Sequence, residues 1–228
     1  TQVTREPTAP GNLRWSPDGR TIAFTRFVAD TTRWTVSLPA VPRGGSRTPA
    51  PRVIDQRHRR EDRLGFHEPG GIHLFVVPAD GGTGRQLTRG NWHVGARFDG
   101  LTGQVGWAWM PDGASIVVDG YEGPDADLNY RHADIWRIDV ATGARTKLTT
   151  EPGTWSGPAV SPDGRWLAYS GYPATKATYR AAAICVRRLD RDEPARPLTT
   201  GLDRDPSDVT WARGGDGLYF TAEHEGSG

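Results

Sequence analysis

Cysteine and methionine are almost absent from this sequence, with one residue of each among 228. The single Cys185 excludes an internal disulfide, which weakly favours a reducing compartment. We therefore expect a cytoplasmic protein, with the periplasm as the alternative. The only methionine is Met110 and the first residue is Thr1, so we interpret the chain as a processed product or a fragment that could have lost a leader.

Long apolar runs and an excess of either charge are also missing. No run approaches the ~18 residues of a membrane span, and no signal peptide is recognisable, so we expect no membrane partner. The 28 basic and 27 acidic residues nearly cancel, which leaves a net charge of +1. Because a nucleic-acid-binding domain needs a basic surface, nucleic acid is excluded as an expected partner.

Turn residues and tryptophan are abundant instead, with 29 Gly, 18 Pro and 9 Trp. They concentrate in a stretch built around Pro-Asp-Gly, which stands at 15–24 and returns at 109–118, at 160–169 and, in a degraded form, at 211–220. Pro fixes φ at the first corner of a turn, Asp tolerates turn geometry, and Gly supplies a positive φ. Apolar residues flank each turn at strand spacing, so each copy predicts a β-hairpin.

The copies follow a regular spacing. Trp109, Val160 and Trp211 are 51 residues apart, and Leu-Thr pairs at 87–88, 148–149 and 198–199 end the three complete units. Four strands in about 50 residues is the period of a propeller blade. The predicted fold class is therefore all-β: an incomplete β-propeller of four-stranded antiparallel blades, with about three and a half blades present.

We expect the whole chain, 1–228, to be this partial propeller. The blades are predicted at 12–88, with an insertion at 28–71, at 105–149, at 157–199 and, in part, at 208–228. An incomplete ring leaves strand edges open. We therefore expect either that further blades lie outside this chain or that it pairs with a copy of itself as a homo-oligomer.

These hairpins resemble the TolB-type β-propeller repeat. The insertion after the first hairpin, with Arg59-Arg60-Glu61-Asp62, and the following stretches 73–82 and 85–88 resemble more specifically the N-terminal propeller of prolyl oligopeptidase-family serine peptidases. The resemblance is to the acylaminoacyl-peptidase and dipeptidyl-peptidase types and covers nearly the whole chain. The insertion departs from the family, which usually has Arg-Arg-Asp-Gly-x-Gly here, because residues 59–64 read Arg-Arg-Glu-Asp-Arg-Leu. No Gly-x-Ser-x-Gly nucleophile elbow is present, so no catalytic residue is carried over.

The resemblance implies a non-catalytic propeller that gates and selects short peptides. Hydrolysis would then belong to a C-terminal α/β-hydrolase domain of the same protein, which would be the chain's main partner. The alternative is a TolB-like propeller that acts as a protein-interaction scaffold and has no enzymatic activity. A third interpretation is a propeller fused to an amidohydrolase, which would need histidine clusters outside this chain.

In such a blade, the Pro-Asp-Gly turns lie on one face and the long connections on the other. The connections are predicted at 28–71, 89–104, 121–133, 150–156, 171–182 and 200–207. Variable loops on a rigid scaffold commonly carry function, and the resemblance implies that this face meets the hydrolase domain. The candidates for contacting that domain or a peptide end are Arg59, Arg60, Glu61, Asp62, Asp125, Asp127 and His132.

Other candidate chemistry is weak. Asp125-x-Asp127-x-Asn129 begins like a calcium loop, but Tyr130 and Trp136 stand where such a loop has Gly and Glu. The six histidines show no metal-ligand spacing, and the serines of the turns are interpreted as structural. The basic insertion either binds an anion or is a solvated hairpin with internal pairing, which is the commoner case. We expect no metal, no cofactor and no catalytic residue in this chain.

Overall fold

The computed structural model describes residues 3–5, 8–31, 37–47, 51–54, 57, 59–62, 65–95, 106–125, 128–129, 131–177 and 179–223. Within these ranges the regular elements are all β-strands, as predicted for an all-β protein. No helix that could cross a membrane occurs in the described part of the chain. The strands form three sheets of four or five strands and two separate hairpins.

Blade 1 is a four-stranded antiparallel sheet in the order β1-β2-β5-β6. Its strands are β1 (Gly11–Trp15), β2 (Thr21–Ala29), β5 (Gly70–Pro78) and β6 (Arg85–Gln86). The insertion between β2 and β5 contains a short hairpin of β3 (Arg60–Glu61) and β4 (Gly65–Phe66). The sequence of this insertion alternates like a strand at 33–38, but residues 33–36 lie outside the described part and 37–38 are not in a strand.

Blade 2 has five strands in the order β11-β10-β9-β7, with β8 also paired to β9. They are β7 (Trp92–Val94), β8 (Trp107–Trp109), β9 (Ser115–Glu122), β10 (Asp134–Asp139) and β11 (Arg145–Lys147). Strand β7 corrects the prediction of a connection at 89–104. β8 pairs only with residues 116–118 of β9, which leaves 120–122 for β7 to pair with.

Blade 3 has the order β12-β13-β14-β15, and a final hairpin begins blade 4. The strands are β12 (Gly153–Val160), β13 (Trp166–Pro173), β14 (Ala183–Arg188), β15 (Arg196–Pro197), β16 (Ser207–Trp211) and β17 (Leu218–Thr221). β12 starts inside the predicted connection 150–156 and β13 extends into 171–182. Both strands are longer because Gly153↔Pro173 and Trp155↔Gly171 continue their pairing.

The Pro-Asp-Gly turns have a physical basis in side-chain hydrogen bonds. In blade 3 the Ser161 hydroxyl donates to Asp163 Oδ1 (2.5 Å) and accepts the N–H of Trp166 (2.9 Å). Asp163 Oδ1 also accepts the N–H of Arg165, and Gly164 has φ of 71°. Blade 1 repeats these bonds with Ser16 and Asp18. The turn serines are structural, as predicted.

The Leu-Thr pairs also have a structural role. Leu148 donates its N–H to the carbonyl of Ile135 (2.7 Å), and the Thr149 hydroxyl accepts the N–H of Ile135 (3.3 Å). Leu87-Thr88 does the same at Leu74, and Leu198-Thr199 at Ile184. The threonine thus replaces a backbone acceptor where the last strand leaves the sheet, which satisfies a backbone donor of the neighbouring strand.

The core lies between successive blades. One cluster joins blade 1 to blade 2 and includes Leu74, Val76, Trp107, Ile116 and Val118. A second joins blade 2 to blade 3 and includes Val117, Ile135, Leu167, Tyr169 and Cys185. Burial of each such side chain contributes about 1.5–3 kcal/mol. Alternate residues of β9 therefore pack against opposite neighbours.

Tryptophans at one motif position tie the first strands of adjacent blades together. Trp109 Nε1 donates to the carbonyl of Arg14 (3.4 Å), and Trp211 Nε1 donates to that of Ala159 (2.9 Å). In both cases the acceptor stands one residue before the corresponding motif position of the preceding blade. Trp15 holds the same position in blade 1 but is 60% exposed.

Candidate functional site

The blades have two different faces. On the turn face, Val140 donates its N–H to the carbonyl of Ala114, and Leu189 donates to that of Arg165. These bonds join the two turns of each blade. Successive Pro-Asp-Gly turns also touch, because a Cβ built on Gly164 would lie 3.3 Å from Pro111 Cδ. The opposite ends of the strands form the loop face, which carries the predicted site residues of blade 2.

Asp125 is fixed at the start of a loop by its neighbours. Its Oδ1 accepts a short hydrogen bond from the Tyr121 hydroxyl, and its Oδ2 accepts Asn129 Nδ2 at 2.8 Å. The Tyr121 hydrogen bond is the main reason that the pKa of Asp125 lies below its usual value. The carboxylate therefore stays ionised and is an exposed acceptor for a cationic group.

His132 lies on the other side of Tyr121. The two rings meet edge to face, with centroids 5.5 Å apart. His132 Nε2 is 3.2 Å from Asp134 Oδ2. The structure thus brings two predicted residues, Asp125 and His132, together through a tyrosine that the sequence reasoning did not select.

Asp134 is the buried centre of this group. Lys147 Nζ is 3.2 Å from its Oδ2, and the Thr149 hydroxyl donates to its Oδ1 at 2.7 Å. Burial acts to raise the pKa of Asp134, but the hydrogen bonds from His132, Thr149 and Lys147 outweigh it and hold the pKa below the usual value. We call Tyr121, Asp125, Asn129, His132, Asp134 and Lys147 the loop-face cluster.

The predicted site residues of the insertion, 59–62, lie at the separate hairpin β3–β4. Arg60 Nη1 is 3.9 Å from Asp62 Oδ1, and both side chains are exposed, at 60% and 98%. Such an exposed pair contributes little to stability. Arg59 accepts the N–H of His67 at its carbonyl. The side chain of Glu61 and all of Asp127 lie outside the described residues, so these two predictions stay predictions.

Asp119 is a further buried carboxylate, which the sequence reasoning missed. Its Oδ2 accepts the N–H of Gly106 (3.2 Å) in its own blade and of Gly157 (3.0 Å) in blade 3. Its Oδ1 is buried with no hydrogen-bond partner among the described residues. Burial raises its pKa to about 7. Asp119, Arg14 and Asp208 line a cavity of about 720 Å³ where the first strands of the blades converge.

One sequence pattern could have identified Asp119. It stands ten residues after Trp109, and the residues ten after Trp15, Val160 and Trp211 are Thr25, Ser170 and Thr221. The hydroxyls in blades 1 and 4 bond within their own blade, as Thr25 Oγ1 does with the carbonyl of Gly11. Among the described residues at this position, only Asp119 forms a hydrogen bond with the next blade.

The chemistry of the loop-face cluster suits binding. In the described part of the chain, no group of three or more His, Cys, Asp or Glu side chains is arranged to hold a metal ion. Asn129 donates to Asp125 instead of lying beside it as a second ligand. The cluster offers an ionised carboxylate, an aromatic ring and an imidazole on one rigid edge.

No protein-family model matches the chain. It is 30% identical over 100 residues to the uncharacterized protein Atu1656 of Agrobacterium fabrum, covering 42% of this chain and 27% of that protein. It is 31% identical over 91 residues to dipeptidyl-peptidase 5 of Trichophyton equinum, covering 40% of this chain and 12% of that enzyme. The matched segments are thus small parts of those longer proteins.

Solved structures extend the likeness to the whole fold. Acylaminoacyl peptidase of Pyrococcus horikoshii matches 99% of this chain and 30% of its own, with 17% identity and a TM-score of 0.64. A putative TolB of Agrobacterium tumefaciens matches 96% of this chain and 71% of its own, with 20% identity and a TM-score of 0.50. The predicted resemblance is confirmed: the chain has the fold of a partial β-propeller and is similar to a putative TolB and to the propeller region of an acylaminoacyl peptidase.

Proposed function

We propose that this chain is the non-catalytic propeller portion of a serine peptidase and that it gates and selects short peptides. Hydrolysis would be performed by an α/β-hydrolase domain elsewhere in the same protein. The observation that carries the proposal is the sequence similarity to dipeptidyl-peptidase 5, in which the matched part is 12% of the enzyme. The fold likeness to an acylaminoacyl peptidase supports it.

The loop-face cluster supplies the contacts for this role. The ionised Asp125 can accept the ammonium group of a peptide N-terminus or a basic side chain of the hydrolase domain. His132 and Tyr121 present an edge-to-face pair beside it. Because Asp134, Thr149 and Lys147 hold this end of the blade, the cluster is positioned before a partner arrives. Such preorganisation lowers the ordering cost of binding.

The test uses the full protein, purified with its hydrolase domain, and two charge reversals. Asp125→Lys removes the acceptor on the loop face, and Asp80→Lys makes the same change on the exposed turn face. We expect kcat/KM for a free dipeptide p-nitroanilide to fall about tenfold in D125K, the effect of losing about 1.4 kcal/mol. The D80K variant should retain wild-type kcat/KM.

A fluorophosphonate probe supplies the second readout. It should label the serine of the hydrolase domain equally in the wild type and both variants, because neither change touches the reacting atoms. Labelling with unchanged dipeptide kcat/KM in D125K would contradict the role of the cluster. Absence of any labelled serine in the full protein would contradict the peptidase itself.

The second candidate is a TolB-like protein-interaction scaffold without enzymatic activity. The likeness to the putative TolB of Agrobacterium tumefaciens favours it, because this chain spans 71% of that structure. A scaffold predicts no fluorophosphonate labelling, together with a protein partner that is recovered by the wild type and lost in D125K.

A further inference from the structure

A cavity of about 440 Å³ lies between blades 2 and 3, near the loop face. Its size falls within the range of about 300–1,000 Å³ that is typical of small-molecule sites. It is bounded by Thr149 and Glu151 from the end of blade 2 and by Trp155, Tyr169 and Cys185 from blade 3. We call it the interblade cavity. Trp155, Tyr169 and Cys185 lie on strands β12, β13 and β14, whereas Thr149 and Glu151 lie in the connection between β11 and β12.

The aromatic wall of the cavity is preformed. Trp155 Nε1 donates to the carbonyl of Glu151 at 2.8 Å, which fixes the indole plane. The ring meets Tyr169 edge to face, with centroids 5.4 Å apart and an interplanar angle of 89°. Glycines leave room for the indole on both sides, since a Cβ at Gly153 would lie 2.5 Å from Trp155 Nε1 and one at Gly171 would lie 2.9 Å from Trp155 Cε3.

The floor of the cavity carries no charge. Burial raises the pKa of Tyr169 to about 12 and that of Cys185 to about 11. The phenol and the thiol therefore stay protonated at neutral pH and are weak neutral hydrogen-bonding groups. A charged group placed between them would lose its hydration, which is costly. The floor thus favours an apolar, uncharged part of a ligand.

The rim of the cavity is polar and is held in place. Glu151, Arg180 and Asp203 border it, so two acidic groups face one basic group. Asp205 ties the bordering loop down, because its Oδ1 accepts the N–H of Ala182 (2.7 Å) and its Oδ2 is 3.4 Å from the Tyr179 hydroxyl. The excess acid at the rim favours a neutral or cationic head group over an anion.

We propose that the interblade cavity binds a small molecule with a flat apolar ring at one end and a neutral or cationic head at the other. The ring lies against Trp155 and Tyr169, and the head lies at the rim beside Glu151 and Asp203. This site is separate from the peptide-gating role and does not depend on it. Its test needs no peptidase activity.

The experiment is fluorine NMR of the full protein labelled with 5-fluorotryptophan. The Trp155 resonance is assigned from its loss in Trp155→Phe, and indole is the probe. We expect indole to shift the Trp155 resonance in a saturable way. Ala181→Phe, which fills the cavity from its rim, should abolish this shift. Ala177→Phe is the matched control, because it makes the same change on the same loop outside the cavity lining.

Charged analogues test the rim. Tryptamine should bind at least as tightly as indole, and indole-3-acetate at least threefold more weakly than tryptamine. A second blocking variant, Thr200→Phe, acts from another part of the lining if A181F changes the other tryptophan resonances. The proposal is overturned if the wild type shows no saturable Trp155 shift, or if the shift persists in a folded blocking variant, or if indole-3-acetate binds most tightly.

Discussion

The turn face and the loop face of this propeller are built from the same strands by different means. The turn face repeats one set of bonds, so the Ser-Asp pair of blade 1 recurs in blade 3 and each turn rests on the next. The described loop-face contacts of blades 2 and 3 are not repeats of each other, and some cross from one blade to another, as Ala133 does when it donates its N–H to the carbonyl of Gly153. The repeated bonds make the turn face redundant, whereas the contacts of the loop face that are not repeated form the candidate site.

The largest effect should come from backbone space at the loop-face end of β13. A Cβ at Gly171, which has φ of 145°, would overlap the carbonyl oxygen of Thr154. We expect Gly171→Ala to destabilise the protein by about 3 kcal/mol or more. Gly164→Ala, in a turn with φ of 71°, should cost only about 1 kcal/mol. Urea unfolding measures the stability of both variants, and a larger loss of stability in G164A than in G171A would contradict the prediction.

The second prediction concerns the pH dependence that Asp119 imposes. Its carboxyl titrates near 3.8 when unfolded and near 7 when folded, so the folded state prefers the protonated form. This contribution to stability is therefore complete below pH 4 and is lost as the pH rises towards about 7. Asp119→Asn keeps a neutral acceptor for Gly106 and Gly157.

The variant D119N should be more stable than the wild type at pH 8, and its advantage should shrink steadily as the pH falls to 4. Thermal unfolding at four pH values measures this. Asp163→Asn on the turn face is the opposite case, because the Ser161 hydrogen bond lowers the pKa of Asp163. The loss of stability caused by D163N should therefore be complete at pH 7 and should disappear at acidic pH, where Asp163 is protonated. If the stability changes caused by D119N and D163N varied with pH in the same direction, the prediction would be wrong.

A smaller effect should separate two threonines with the same motif role. Thr149 accepts a backbone N–H and also donates to the buried Asp134, whereas Thr199 accepts the N–H of Ile184 at 2.8 Å. We expect Thr149→Val to cost about 2–3 kcal/mol and Thr199→Val about 1 kcal/mol, since an unpaired buried acceptor adds its desolvation cost. In the D134N background, the difference in unfolding free energy between T149V and T199V should become smaller, which a double-mutant cycle measures.

The smallest effect should come from one turn of the redundant face. Ser161→Ala removes an acceptor for Trp166 N–H and a donor to Asp163, for which we expect a cost of about 1 kcal/mol. Blade 2 already has Met110 at this position, and its turn keeps the bond from Met110 N–H to the carbonyl of Ser115. A cost well above that of T149V would show that the turn face is not redundant.

Repeated chemistry made the turn face predictable from the sequence. Pro-Asp-Gly and Leu-Thr place the same atoms in each blade, so their spacing gave the hairpins and the all-β fold. The loop face could be predicted only in part. Asp125 and His132 were selected because they lie in a predicted connection of the loop face, but Tyr121 and Asp134 join them through side-chain contacts that a linear pattern does not show. Strand β7 was missed because its partner, the end of β9, was not expected to extend beyond residue 120.

Asp119 illustrates the same limit between blades. Its position in β9 is evident from the repeat, but its bond to Gly157 depends on how closely the first strands of blades 2 and 3 approach. A Cβ on Gly106 would lie 2.5 Å from Gly157 Cα. Such contacts are set by the radial packing of whole sheets, which local propensity does not specify.

The exposed Trp15 makes the open edge of blade 1 visible to spectroscopy. Its indole lies largely in water, whereas Trp92 and Trp107 are 2% and 1% exposed. An indole in water emits at longer wavelengths than one in an apolar environment. Subtracting the emission of Trp15→Phe from that of the wild type would therefore isolate a red-shifted component. That component should move to shorter wavelengths whenever another sheet covers this edge. The emission of Trp15 therefore reports whether the propeller ring is closed at blade 1.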